Sequence, residues 1–133
     1  MALFGGEKRE AKNEALQAEL ARIDSLSLDD LAAETLTKGF GPDGPDASGA
    51  IRATELGGAF VPGDSTSGLD QGDLVQINDI VAEGIQRLEH AGLVRVVVSS
   101  DGGSRYFTFV TPTRAGRAAL ENDSIDKALK APA

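Results

Sequence analysis

The chain has 133 residues, no cysteine and a formal net charge of −8 at pH 7. This length fits one domain with tails, and the lack of cysteine excludes disulfides and Cys-based metal sites. No apolar run approaches the length of a membrane span, and the first residues become charged too early for a signal peptide. We therefore expect a cytoplasmic protein that makes no contact with a membrane.

The charge is unevenly distributed along the chain. Residues 1–85 carry 6 Lys/Arg against 16 Asp/Glu, whereas residues 86–120 carry 5 Arg against 2 acidic residues. The overall acidity argues against a general affinity for nucleic acid. The basic excess in residues 86–120 nevertheless makes this stretch a candidate for binding an acidic partner.

Two helices are predicted in the first third of the chain. Residues 7–25 are rich in good helix formers, and the segment 1–25 either covers the core of its own domain or acts as the arm of a homodimer. A second helix begins after Ser27, a favourable N-cap, and ends after Lys38 at Gly39. The apolar residues of the first helix recur at helical spacing: Ala15, Leu16, Ala18, Leu20 and Ile23.

Residues 39–72 contain nine Gly and three Pro, a composition typical of loops. We predict a Gly/Pro-rich insertion here, with residues 51–56 as either a short strand or a helical turn. A loop of this length is uncommon inside a compact domain. The segment therefore carries function, is partly mobile, or contains an element that the pattern does not reveal.

The strongest structural signals lie between Leu74 and Leu120. A helix with a broad apolar face is predicted to end at Gly92, and two strands, residues 94–98 and 105–110, then flank a turn at Asp101–Gly102. The apolar face of the helix comprises Ile77, Ile80, Val81, Gly84, Ile85, Leu88 and Ala91.

A last helix is predicted to open at Thr111, as N-cap, with Pro112 in its first position. Residues 122–133 are expected to form a flexible tail. Residues 26–121 thus form a mainly helical α+β domain with one antiparallel β-hairpin.

The sequence offers little for catalysis or for metal binding. His90 is the only histidine, and no serine occupies a nucleophile elbow. The loop acids do not have the spacing of an EF-hand, and no phosphate-binding glycine motif is present. We therefore predict a non-enzymatic protein with no catalytic residues, no metal site and no cofactor.

The helix, the hairpin and the closing segment from Thr111 to Leu120 resemble the second half of a winged helix-turn-helix domain of the MarR and PadR kind. The resemblance implies that residues 77–91 lie in the DNA major groove and that residues 99–105 form the wing tip. It implies a DNA-binding protein and a transcriptional regulator. A helix-turn-helix normally has a short turn between its helices, whereas the Gly/Pro-rich segment stands between them here.

When the DNA-binding positions of such domains are transferred to this sequence, the resemblance implies five DNA-binding residues. Asn78 and Gln86 have the groups that bind adenine edges, and Arg87 could reach guanine or phosphate. Arg95 and Arg105 on the hairpin suit phosphate or a narrow minor groove. The alternative is an acidic protein–protein interaction or assembly module on the same scaffold, since the N-terminal half is strongly acidic. The partner is then a protein, which includes a second copy of the chain.

Overall fold

The computed structural model describes residues 4–41, 50–61, 71–100 and 106–130. They form six helices and three strands, in the order α1 (Phe4–Ser25), α2 (Leu28–Phe40), β1 (Ile51–Arg52), α3 (Ala53–Gly58), α4 (Gln71–His90), β2 (Val94–Ser100), β3 (Tyr106–Pro112), α5 (Arg114–Glu121) and α6 (Ile125–Lys130). The strands make one antiparallel sheet in the order β1-β3-β2. The prediction of a mainly helical α+β fold is confirmed.

The first two helices pack as their apolar patterns indicate. Leu16, Leu20 and Ile23 of α1 are buried, so this helix covers the core of its own domain. At the start of α2, the backbone N–H of Asp30 donates to the Ser27 hydroxyl at 3.1 Å, which makes Ser27 the N-cap. The cap satisfies one of the donors that a helix start leaves without a partner.

The predicted end of α2 at Gly39 is wrong, because the helix continues to Phe40. Gly39 is a buried residue inside the helix, and a Cβ atom there would lie 2.2 Å from Cδ2 of Leu56. The glycine therefore lets α3 approach the backbone of α2. The C-cap is Gly41, whose N–H donates to the carbonyl oxygen of Thr37 at 2.9 Å.

The Gly/Pro-rich segment is not loop throughout, because residues 51–58 form two short elements. Residues 51–56 were expected to be a strand or a helical turn, and the structure has β1 followed directly by α3. Ile51 pairs with Val110 of β3, and Leu56 and Phe60 are buried. These apolar anchors fix the segment despite its glycines. Residues 42–49 and 62–70 lie outside the described residues.

Helix α4 starts before the predicted residue 77 and ends as predicted. Gly92 has a φ of +77°, a left-handed conformation that glycine adopts without strain. The N–H of Leu93 donates to the carbonyl of Leu88 at 2.9 Å, and that of Gly92 to Glu89 at 3.0 Å. This is a Schellman motif, which satisfies the last carbonyls and turns the chain into β2.

The predicted hairpin is confirmed, with Val96 opposite Val110. Its predicted turn, at Asp101–Gly102, lies outside the described residues. The start of the next helix differs from the prediction, because Pro112 is the last residue of β3 and Thr113 is the N-cap of α5. The strand pairing continues to Pro112, so the cap falls two residues after Thr111.

The C-terminal segment forms α6 and docks on the domain, which corrects the prediction of a flexible tail for residues 122–130. Ile125 and Leu129, one helical turn apart, are both buried and belong to the main core. Asp123 has a φ of 49° and the N–H of Ser124 donates to Ala119 at 2.9 Å, which bends the chain back sharply after α5. Residues 131–133 are outside the described part.

Candidate interaction surface

The exposed side of α4 is acidic. Asp79, Glu83 and Glu89 are exposed on this helix, whereas its one arginine, Arg87, is half-buried. An anionic duplex would be repelled by these carboxylates, because phosphate contacts supply most of the non-specific affinity for DNA. The exposed side of α4 therefore carries a negative charge.

Asn78 lies at the junction of α3 and α4. It is half-buried, and its Oδ1 atom stands 1.8 Å from the position that a Cβ atom on Gly57 would take. The lack of a side chain at Gly57 thus leaves room for the amide. Asn78, which was expected to bind an adenine edge, thus lies against a neighbouring helix.

Arg87 binds two groups of its own chain. Its Nε donates to Oδ1 of Asp29 on α2 at 2.8 Å, and its Nη2 donates to the carbonyl oxygen of Leu129 on α6 at 2.7 Å. The guanidinium therefore joins three helices. Both of these donors are thus engaged by groups of the same chain.

Of the other residues expected to bind DNA, Gln86 is exposed on α4 and Arg95 is exposed on β2. Arg105 lies outside the described residues. Gln86 and Arg87 both line one groove, which includes neither Asn78 nor Arg95. The structure thus divides the expected site between a helix junction, a groove and a strand.

The groove lies between the α1–α2 corner and α4 and has a volume of about 460 Å³. Half of its ten lining residues are apolar, and Leu28 is 48% exposed beside the buried Leu31. Its ionisable residues include Asp24 from α1 and Glu83 from α4. The lining residues are Ile23, Asp24, Leu26, Leu28, Leu31, Ile80, Glu83, Gln86, Arg87 and His90.

An ion-pair network stabilises the α1–α2 corner. Arg22 binds Glu19 within α1, and its Nη1 donates to both carboxylate oxygens of Glu34 on α2 at 3.0 Å. The hydrogen bond from Arg22 lowers the pKa of Glu19, and the same bond is the main cause that raises the pKa of Arg22. These ion pairs join α1 and α2 beside the groove.

The groove has one local signal in the sequence, which was not enough to predict it. Leu26 precedes the N-cap of α2 and Leu31 is the fourth residue of the helix, the spacing of a hydrophobic staple. Both side chains line the groove. A hydrophobic staple indicates the direction in which the chain enters a helix. It does not indicate that residues of α4 form the other side of the groove.

No family model, curated protein or solved structure matches this chain. Among the described side chains, no group of three or more His, Asp or Glu comes together as metal ligands would. In the part of the chain that the structure describes, no helix combines the length and the apolar character needed to cross a membrane.

Proposed function

We propose that this chain is a non-enzymatic, winged-helix-like domain that acts as a protein-interaction module. From α2 to β3 the elements follow the order helix, strand, helix, helix, strand, strand, and β1 pairs with β3. This order supports the winged-helix assignment, with α3 and α4 as the helical pair and β2–β3 as the wing. Fold alone does not define a function, so the choice of partner depends on the surface.

The observation that carries the proposal is the groove between the α1–α2 corner and α4. Leu28 offers exposed apolar area, and Asp24 and Glu83 offer carboxylates beside it. The positive charge of Arg87 is matched by Asp29. The ligand that complements this surface is an amphipathic segment of a partner protein, with apolar side chains in the groove and Lys or Arg beside the carboxylates.

The proposal is tested by fluorescence anisotropy with a labelled helical peptide that carries Leu on one side and Lys on the other. We expect saturable binding that weakens in Leu28→Ser and in the double variant Asp24→Asn/Glu83→Gln. The matched controls are Val75→Ser and Glu89→Gln, which alter exposed α4 residues outside the groove. Equal losses in the groove variants and the controls would overturn the proposal.

DNA binding is the second candidate. It is favoured by exposed arginines on the hairpin and the following helix: Arg95, Arg114 and Arg117. If these residues bind phosphate, a mixed-sequence duplex binds at low salt, and Arg105→Ala reduces both the affinity and its dependence on salt. Absence of binding at micromolar protein and low salt would remove this candidate and leave the interaction module.

A further inference from the structure

Strand β2 is an edge strand with an unusual sequence for that position. It is the last strand in the sheet order, and among the described residues no strand pairs with its outer side. Its sequence, VRVVVSS, contains no proline and only one charged residue. Val97 and Val98 are 44% and 63% exposed. Edge strands are commonly protected by prolines, charges or bulges, and β2 has little of this protection.

The backbone hydrogen bond at the base of the hairpin shows which residues of β2 bond to β3 and which point outward. The N–H of Thr113 donates to the carbonyl of Leu93 at 2.9 Å, which extends the register by one pair and makes this a hydrogen-bonded position. Hydrogen-bonded and non-hydrogen-bonded pairs alternate in an antiparallel ladder. Arg95 and Val97 therefore bond to β3, while the backbone groups of Val96 and Val98 point to the open edge.

We propose that β2 pairs in antiparallel orientation with β2 of a second copy of this chain, with Val97 opposite Val97 of the partner subunit. In this register Val96 faces Val98 of the partner subunit, and both residues have outward backbone groups. Residues 95–99 of the two strands then pair with one another. The two sheets become one continuous sheet around a two-fold axis.

Side-chain chemistry favours this register over the one centred on Arg95. Arg95 lies opposite Ser99 of the partner subunit, so no like charges oppose one another. Moving the axis to Arg95 would place two arginines directly opposite and leave residues at the other end unpaired. The valines at the centre bring β-branched side chains together across the axis, which is a favourable cross-strand arrangement.

A second copy fits this edge better than an unrelated peptide for two reasons. Its valines meet the valines of the first strand, and its outward backbone groups lie opposite those of the first strand. The surface is separate from the groove, since no β2 residue lines the groove. Dimerisation through β2 would therefore leave the proposed partner site open, and the two proposals can fail independently.

The absence of native cysteine permits a direct test of the register. Two residues in a non-hydrogen-bonded pair have Cα atoms about 4.5 Å apart, which is within the range that a disulfide spans. We expect Val97→Cys to form a disulfide-linked dimer readily under mild oxidation. Val75→Cys, on an exposed site of α4, is the matched control and should react much more slowly.

Sedimentation of the full chain provides the second readout. We expect a monomer–dimer equilibrium at concentrations up to about 100 µM, shifted to monomer by Val97→Lys and unchanged by Val75→Lys. Circular dichroism checks that both variants are folded. A wild-type chain that stays monomeric throughout, or equal cross-linking of the cysteine variants at positions 97 and 75, would overturn the proposal.

Discussion

Replacing Arg87 by methionine should destabilise the fold. Methionine keeps much of the apolar stem of arginine but removes the guanidinium, and with it the bonds to Asp29 and to the carbonyl of Leu129. A hydrogen bond from a charged donor to a carbonyl contributes about 1.5 kcal/mol. The side chains of Arg87 and Asp29 are 25% and 38% exposed, so we assign the ion pair about 0.5 kcal/mol.

The expected loss of unfolding free energy is thus about 2 kcal/mol. For a domain of this size it corresponds to a fall in melting temperature of about 8 °C. Urea denaturation followed by circular dichroism measures the free energy, and a thermal scan gives the midpoint. Arg95→Met is the matched control, because Arg95 is exposed on β2 and should change stability by less than about 0.5 kcal/mol.

A double-mutant cycle isolates the ion pair. Asp29→Asn should cost less than Arg87→Met, since the bond to Leu129 remains, and the coupling energy between the two positions should be about 0.5 kcal/mol. If Arg87→Met left stability within the range of the Arg95 control, Arg87 would not join the three helices. The guanidinium would then be available to a ligand, contrary to the structure described above.

Three further predictions concern packing and pH. A Cβ atom on Gly116 would lie 2.0 Å from the carbonyl oxygen of Leu93, so Gly116→Ala should cost about 2 kcal/mol in urea denaturation. Leu129→Ala should cost about 2 kcal/mol, measured in the same way, because it opens a cavity under α6; an unchanged stability would mean that α6 does not dock. The pKa of Glu19 is lowered from its ordinary value of 4.5, mainly by the hydrogen bond from Arg22. Ionised Glu19 therefore stabilises the fold at pH values above the pKa that it has in the unfolded chain. This contribution is lost as the pH falls through the lower pKa that Glu19 has in the folded state. Between about pH 5 and about pH 3, wild type should lose more stability than Glu19→Gln, and parallel curves would contradict this.

Local patterns in the sequence predicted the elements that depend on local chemistry. Alternating β-branched residues predicted the hairpin, and Gly92 predicted the end of α4, because its left-handed conformation is a requirement of the turn itself. The start of α5 was misplaced by two residues because Thr111 and Thr113 are both acceptable N-caps. The choice between the two threonines depends on how far β3 pairs with β2. The local sequence does not determine the extent of that pairing.

Distant contacts decide between the strand and the helical turn that the sequence allows for residues 51–56, and the structure contains both. The helix α3 has only six residues, two of them glycine, so its propensity is poor. It is held by the burial of Leu56 and by β1, whose Ile51 pairs with Val110. Long-range contacts of this kind have no signature in a short window of sequence.

The intramolecular bonds of Arg87 could not be predicted for the same reason. The partner of Arg87 on α2 lies 58 residues earlier in the chain. Helical spacing alone could not distinguish an arginine that binds DNA from one that joins helices. The groove likewise depends on the α1–α2 corner meeting α4, which the apolar stripes of the separate helices do not specify.

The central claim is that the groove between the α1–α2 corner and α4 binds a basic amphipathic segment of a partner protein. Amide chemical-shift mapping by NMR, with the Leu/Lys helical peptide, tests it most directly. We expect the largest shifts around Leu26, Leu28 and Glu83, and only small shifts with a peptide of the same composition in scrambled order. Shifts confined to β2 and α5, or equal shifts with both peptides, would contradict the claim.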